Sequence, residues 1–522
     1  MEEQKDVKQP VKKFAGIEVP PDLTKKNFFF LYFNTLLIGL LMVIPAILQP
    51  AFLKDVIKVS MDFFGSINGL LQNMSQIATL LFVGYVGILS DRTGRKILAI
   101  IGFIVLAVFY LFFLYSNQIA AALNLSAGFS ATICAALSFA PARAAEFSDF
   151  GQGLLTAYFI RLIIGIGLVL VYPQFITMVG DYVAEKDRGK GMAFNGMMMG
   201  LGSLLIFGIV APIGKKSGVE VVFYISAAIA LAGAFFSIVG LKDRLPEKKA
   251  EKKGLMEILK VVNKKLPLKA TYLCSLITRA DIVIIATFLV SWAVKLADQY
   301  NMTSEAATLK GSIPMIVMGL FSLIIMPVVG ILIDKWGRVP TIILSLFMGS
   351  LGLILIGLSP NPFSGLIFPA VILAGFGMAG GIVGANTLAV DASPKGLVGS
   401  VMGGLNTMQP IGVLFFMGIG GYLFDTFGPG WAFGLKGAAT LVLGIWMFTV
   451  KGRITEELKE ATSLDNLTFT MEWEDEAKKR LEKVPAAFRE AAVSGAEEYA
   501  RKHSYDKITP AVMEEYKKEL GM

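Results

Sequence analysis

An all-α membrane protein of twelve transmembrane helices, in two pseudo-symmetric six-helix halves with a small helical tail, is the fold class that the sequence predicts. Three observations carry that prediction. The 522 residues are 55% hydrophobic and only 17% charged, with a mean hydropathy of +0.65, a profile of polytopic membrane proteins rather than of soluble domains. Twelve apolar stretches are each long enough to cross a hydrocarbon core of ~30 Å, which takes about 20 helical residues. One charged link between two such stretches occurs twice, as Gly87-Ile-Leu-Ser-Asp91-Arg-Thr-Gly94-Arg95 and as Gly330-Ile-Leu-Ile-Asp334-Lys-Trp-Gly337-Arg338.

The spans are expected at 27–49, 65–89, 97–116, 153–180, 191–213, 220–241, 268–297, 309–333, 339–358, 364–390, 397–421 and 431–450. Helices satisfy their own backbone polar groups, which lipid cannot do. A link of four or five residues leaves room only for a tight hairpin, and a glycine in it tolerates φ > 0. The stretch 117–151 is rich in Ala, Ser and Leu but reads as an external insert, an interfacial or re-entrant helix. A thirteenth crossing there would reverse the sidedness of every later loop.

Basic residues set the orientation. The loops assigned to the cytoplasm, before the C-terminal tail, collect 25 Lys and Arg, and the opposite loops collect 7. That bias predicts both termini in the cytoplasm. It also accounts for the net charge of +8 without nucleic-acid binding. Residues 1–26 form a polar N-terminal tail, too polar for a cleaved signal peptide. The linker 242–267 separates the halves 27–241 and 268–450. Lys242–Lys269 holds ten basic against four acidic residues, and Leu255–Val262 reads as an amphipathic helix on an anionic membrane surface. The protein is expected to be integral to the inner membrane of a prokaryote.

The halves repeat beyond the charged links. Asp181 closes span four and Asp391 closes span ten, each before a basic, glycine-bearing turn. Internal symmetry of this kind is expected of secondary transporters. The paired links, with Arg161-Leu-Ile-Ile-Gly165-Ile-Gly167 in span four, resemble the signature motifs of the major facilitator superfamily over about residues 27–450. The resemblance implies alternating access. It also implies gating roles for Asp91, Arg95 and Asp181, with Asp334, Arg338 and Asp391 as the weaker second copy. Span five departs from the drug/proton antiporter pattern, because Gly208 and Pro212 are not adjacent. An exporter of amphiphilic compounds thus becomes the alternative rather than the leading reading.

A charge at a helix centre costs about 2.5–3.5 kcal/mol on insertion scales, so such residues usually face partners inside the bundle. Three ionisable groups are read as deep: Arg161 in span four, and Arg279 and Asp281 in span seven. Arg279 lies roughly 16 Å along its helix, near mid-membrane. Arg279 and Asp281 point about 200° apart, so at least one must reach another helix, a cavity or a ligand. One reading makes Arg161 and Arg279 binders of an anionic solute, because guanidinium stays charged and holds carboxylate or phosphate bidentately. Asp281 is then the proton-coupling candidate. The other reading makes Arg161 a packing residue and Asp281 a fixed counter-charge. Asn68, Gln72 and Gln76 share one face of span two and, with Asn386 and Asn406, are candidates to line a solute path. The partners expected are a small solute, the lipid bilayer, and a coupling ion, proton or sodium.

Residues 451–522 carry 13 basic and 16 acidic residues and should form two or three short helices. Thr509-Pro510 reads as an N-cap and first helical residue. Trp473-x2-Glu-Ala-x2-Arg-Leu-x2-Val-Pro485-x2-Phe-Arg489, then Glu498-Tyr-Ala-Arg501, resembles the small C-terminal helical domain of a light-independent protochlorophyllide reductase subunit. That keeps a membrane scaffold or pigment-handling factor as a further alternative, with an unknown tail partner. The sole histidine, His503, lies in this tail, and the two cysteines, Cys134 and Cys274, fall in unrelated segments. No catalytic triad, metal cluster, cofactor motif or P-loop is apparent, so the chain does not read as an enzyme.

Overall fold

A computed structural model of the chain describes residues 12–184, 187–206, 208, 211–244, 255–394, 397–464, 467–482, 484 and 486–519. Eleven described helices are long and apolar enough to cross a membrane: Lys25–Ile57, Met61–Thr93, Arg95–Leu114, Gly151–Tyr182, Val219–Gly240, Leu266–Lys295, Ser304–Trp336, Arg338–Leu358, Ile367–Ala392, Val398–Thr426 and Gly430–Glu460. The fifth of the twelve expected spans begins as the helix Arg188–Leu205 and runs into residues outside the described set. The protein is an all-α membrane protein.

The repeated links are tighter than a loop of four or five residues. Helix continues through Thr93 and Trp336, so Asp91 and Asp334 are helical. The turn falls on Gly94 and Gly337, whose φ values of +95° and +91° lie where an L side chain is strained. The insert also differs from a span. Its helices are Ser116–Ala122 and Ala127–Leu137, followed by a 3-10 turn, Pro141–Phe147. Eleven residues cover only about 16 Å, too short to cross.

The chain divides into two compact units that interleave along the sequence. The first comprises Met1–Leu48, Ile77–Leu125 and Gln152–Lys249. Here Gly39 lies against the Met199 carbonyl and Gly202 against that of Leu36, which lets spans one and five touch backbone to backbone. Asn34 Nδ2 donates to Ser237 Oγ (3.3 Å) and Thr35 Oγ1 to Asn195 Oδ1 (2.8 Å), tying span one to spans six and five. In the N-terminal tail a two-strand hairpin, Lys13–Phe14 with Ile17–Glu18, is held by Glu18 N donating to Asp187 Oδ2 (3.0 Å).

The second unit comprises Gln49–Gln76, Ser126–Gly151 and Ala250–Met522. Gly69 and Gly421 bring the start of span two against span eleven, where a Cβ would strike the backbone carbonyls of Met417 and Gly65. At the same seam both Asp425 oxygens accept backbone N–H groups, from Gly65 and Ser66 (each 2.7 Å). A carboxylate is well placed there, because a helix N-terminus carries orphan donors and partial positive charge. In the insert, Arg143 bridges to Asp62 (2.9 Å) and its guanidinium lies 4.5 Å from the Phe63 ring centroid.

The linker helix Leu255–Lys264 is amphipathic as expected, but its apolar side meets protein rather than lipid. Ile258 and Val262 are buried with Tyr272, Ala389, Val401 and Leu405. The last span also runs on past its apolar part, as one helix to Thr462. Beyond it the tail has its own core of Trp473, Ala477, Leu481, Val493, Ala496, Ala500, Ile508 and Val512. Its helices are Asp475–Leu481, Ala486–Lys502 and Pro510–Glu519, with Val512 N donating to Thr509 Oγ1 at 3.3 Å.

Glu497 is the polar centre of the tail, only 4% exposed. Burial alone would raise its pKa. Hydrogen bonds from the Thr470 hydroxyl, the Trp473 indole (3.0 Å) and the backbone N–H groups of Thr470 (2.9 Å) and Met471 (3.3 Å) outweigh that and hold the carboxyl below its usual range. A depressed folded pKa gives stability that is complete above the unfolded value of about 4.3 and is lost as pH falls through the folded one. The protection of the Thr470 and Met471 amides against hydrogen exchange, relative to the intrinsic rate at each pH, is therefore expected to fall only in acid below about pH 4, and in Glu497→Gln already at neutral pH. Unchanged exchange in the variant would remove Glu497 from this role.

Candidate functional site

Span seven is not one continuous helix. It runs Leu266–Thr278, turns at Arg279 and Ala280, and resumes as Asp281–Lys295. Gly412 lies against the Leu276 carbonyl and Gly381 against Thr278, so spans eleven and ten press on the turn from two sides. Asn386 and Asn406 come from those same two helices. The Arg279 guanidinium spans them, donating through Nη1 to Asn406 Oδ1 and through Nη2 to Asn386 Oδ1. Arg279 and Asn386 are half-buried and Asn406 is exposed. Three of the sequence candidates thus form one cluster, with a fixed positive group and amide N–H groups beside it.

Asp281 faces the other way, as its offset from Arg279 requires. It is 2% exposed and ion-paired with Lys436 of span twelve, which is 0% exposed. Lys436 also reaches Thr440 Oγ1 (3.4 Å) and lies 4.9 Å from the Phe416 ring centroid. The expectation of three deep ionisable groups is corrected here, because Lys436 is a fourth. It lies only five residues inside the expected start of span twelve at 431, and its neighbours in sequence name no partner for it.

Two other candidates are placed differently from the expectation. Asn68 does not line an open path: it is 0% exposed, accepts from Gln49 Nε2 (3.0 Å) and donates to the Phe64 carbonyl (2.8 Å). Its carboxamide ties spans one and two together. Gln72 is buried and Gln76 half-buried on the same helix. In the first unit Arg161 is 1% exposed rather than on an open wall, within Coulombic reach of Tyr110. Tyr110 donates to the Leu41 carbonyl at 2.6 Å.

The charged links make ion pairs in both units. Arg95 pairs with Asp181 and lies 3.5 Å from Asp91. Asp243, which the sequence reading passed over among the basic residues of the linker, completes this cluster. Its Oδ1 accepts from Arg95 N (2.8 Å) and Lys96 N (2.9 Å), capping span three. Arg244 Nη1 donates to the Asp181 carbonyl (2.9 Å). In the second unit Arg338 pairs with Asp391, and Asp334 is exposed. Lys395 and Gly396 of the following turn lie outside the described residues.

The family description Major Facilitator Superfamily matches residues 27–318 and 271–496. The chain is 28% identical over 417 residues to the magnetosome protein MamH of Paramagnetospirillum magneticum (strain ATCC 700264 / AMB-1), covering 80% of this chain and 90% of that one. It is 26% identical over 471 residues to the magnetosome protein MamZ of the same strain, covering 88% and 68%. Among solved structures, the nucleoside transporter NupG superposes with a TM-score of 0.60 at 13% identity, over 81% of this chain and 99% of that one. A D-xylose–proton symporter does so with a TM-score of 0.56 at 16% identity, over 81% and 97%. At such identities the likeness is one of fold.

Proposed function

The chain belongs to the major facilitator superfamily, and from that premise we propose that it is a secondary transporter of a small anionic solute, working by alternating access. The observation that carries the reading is the Arg279 cluster. A guanidinium held between two asparagine oxygens is already ordered before a ligand arrives, so less freedom is lost on binding. Guanidinium and amide N–H donors together suit a carboxylate or phosphate. Asn386 and Asn406 would orient Arg279 and contact the solute, and Gln72 and Gln76 would supply further polar lining. The buried Lys436 beside Asp281 favours a counter-charge role for Asp281 over proton coupling. The coupling ion, proton or sodium, is assigned to no residue. Asp91, Arg95 and Asp181, and in the second half Asp334, Arg338 and Asp391, would latch the helix ends that part during the cycle.

The bacterial relatives favour a prokaryotic membrane, and the Lys and Arg bias of the loops favours both termini on its cytoplasmic face. The magnetosome, which both relatives carry in their names, is the proposed compartment. The test is the melting temperature of the purified protein with carboxylates, phosphates, sugars, amines and a tetrapyrrole, at pH 6 and pH 8. A ligand that binds the folded state raises the midpoint by mass action, and 100-fold excess over Kd is worth about 2.7 kcal/mol. Shifts from anions are expected. Shifts from amines or sugars alone would sink the anion reading. A tetrapyrrole shift lost on deleting residues 451–522 would favour the pigment-handling alternative, which rests on the reductase-like sequence of the tail.

A further inference from the structure

We propose that the Asp391 end of span ten is an interaction surface, and that its partner is the chain's own C-terminal tail, engaged through Arg489. The tail helix Ala486–Lys502 packs against the helix Ile367–Ala392. Arg489 is 8% exposed, on a helix whose other basic residues, Arg501 and Lys502, are exposed. Its Nε donates to the Val484 carbonyl (2.7 Å) and its Nη2 to that of Glu482 (2.6 Å). Those bonds fix the fork of the guanidinium within the tail. Asp391, already paired with Arg338, lies within Coulombic reach of it.

A buried guanidinium is costly unless charge and hydrogen bonds compensate it. Asp391 from span ten and Glu482 from within the tail supply the opposing charge, against repulsion from Arg338. The first half shows the same arrangement from another source. There Asp181 pairs with Arg95, and Arg244 of the linker reaches the Asp181 backbone. Each of the two symmetry-related acids is thus approached by one arginine from its charged link and by a second from a segment outside the spans. The tail does for span ten what the linker does for span four. If Arg338 and Asp391 form a latch, which rests on the proposed function, the tail shares the acid that closes it. Its docked fraction then biases the latch.

The test uses the full-length protein in lipid nanodiscs, with spin labels on Lys335→Cys and Glu498→Cys. Both positions are exposed, and the native cysteines are buried. One narrow distance distribution is expected. Arg489→Gln removes the positive charge that faces Asp391, so the undocked fraction should rise severalfold and the distribution should broaden. Arg489→Lys, which keeps the charge but not the fork, should broaden it less. Arg480→Gln breaks the Arg480–Glu514 bridge within the tail and should leave it narrow. A narrow distribution in Arg489→Gln, or equal broadening in Arg480→Gln, would overturn the proposal. The readout needs no solute, so its failure is separable from that of the anion reading.

Discussion

Replacing Arg279 with glutamine is expected to abolish the thermal shift produced by an anionic solute, lowering affinity by about 10- to 100-fold. The range follows from about 1.5–3 kcal/mol for a hydrogen bond to a charged group, at about 1.4 kcal/mol per tenfold. The variant is not expected to unfold the protein. Arg279 is half-buried beside the exposed Asn406, so an amide in its place leaves little uncompensated. Arg279→Lys should recover part of the affinity, since it restores the charge without the fork that reaches Asn386 and Asn406 together. Equal shifts in wild type and Arg279→Gln, for a solute that binds the folded state, would place the solute elsewhere.

Lys436→Met should have the larger effect on stability. It strands the Asp281 carboxylate at 2% exposure, and removing one partner of a buried ion pair typically costs roughly 3–5 kcal/mol. Asp281→Asn combined with Lys436→Met should return most of that, because apolar or neutral replacement of both partners is often close to neutral. Denaturant unfolding of the two single variants and the double variant closes the cycle. If the double variant is as unstable as the sum of the singles, the two residues are not coupled and the pair does not hold span seven to span twelve.

Much of this fold was legible in the sequence because it rests on local rules. Span length, the repeated Asp91–Arg95 and Asp334–Arg338 links, and the Thr509-Pro510 helix start each depend on a few neighbouring residues. The offset of Arg279 from Asp281 also required that at least one reach another helix, a cavity or a ligand, and both meet side chains of other helices. The identity of those partners was not legible. Lys436 was not counted among the deep groups, because only the fold brings it to Asp281. Asp243 was one of four acids among ten basic residues, and only the approach of the linker to span three makes it a cap. Asn68 and Gln72 share a periodicity that lining and packing produce alike, and the Gln49 bond to Asn68 is visible only once the helices are placed. The linker helix showed its apolar side in the sequence, but nothing local distinguishes a lipid surface from Tyr272, Val401 and Leu405.

The interleaving of the two units bears on how the protein is made. Gln49–Gln76 and Ser126–Gly151 leave the ribosome early, yet they are completed by residues from the C-terminal spans. Until span eleven exists, the Gly65 and Ser66 amides wait for the Asp425 carboxylate, and Gly69 waits for the backbone of Met417. The nascent N-terminal half must therefore persist in the bilayer with an unfinished edge, and assembly is completed only once span eleven has been made. Chains truncated before span eleven should be the ones that membrane quality control removes first.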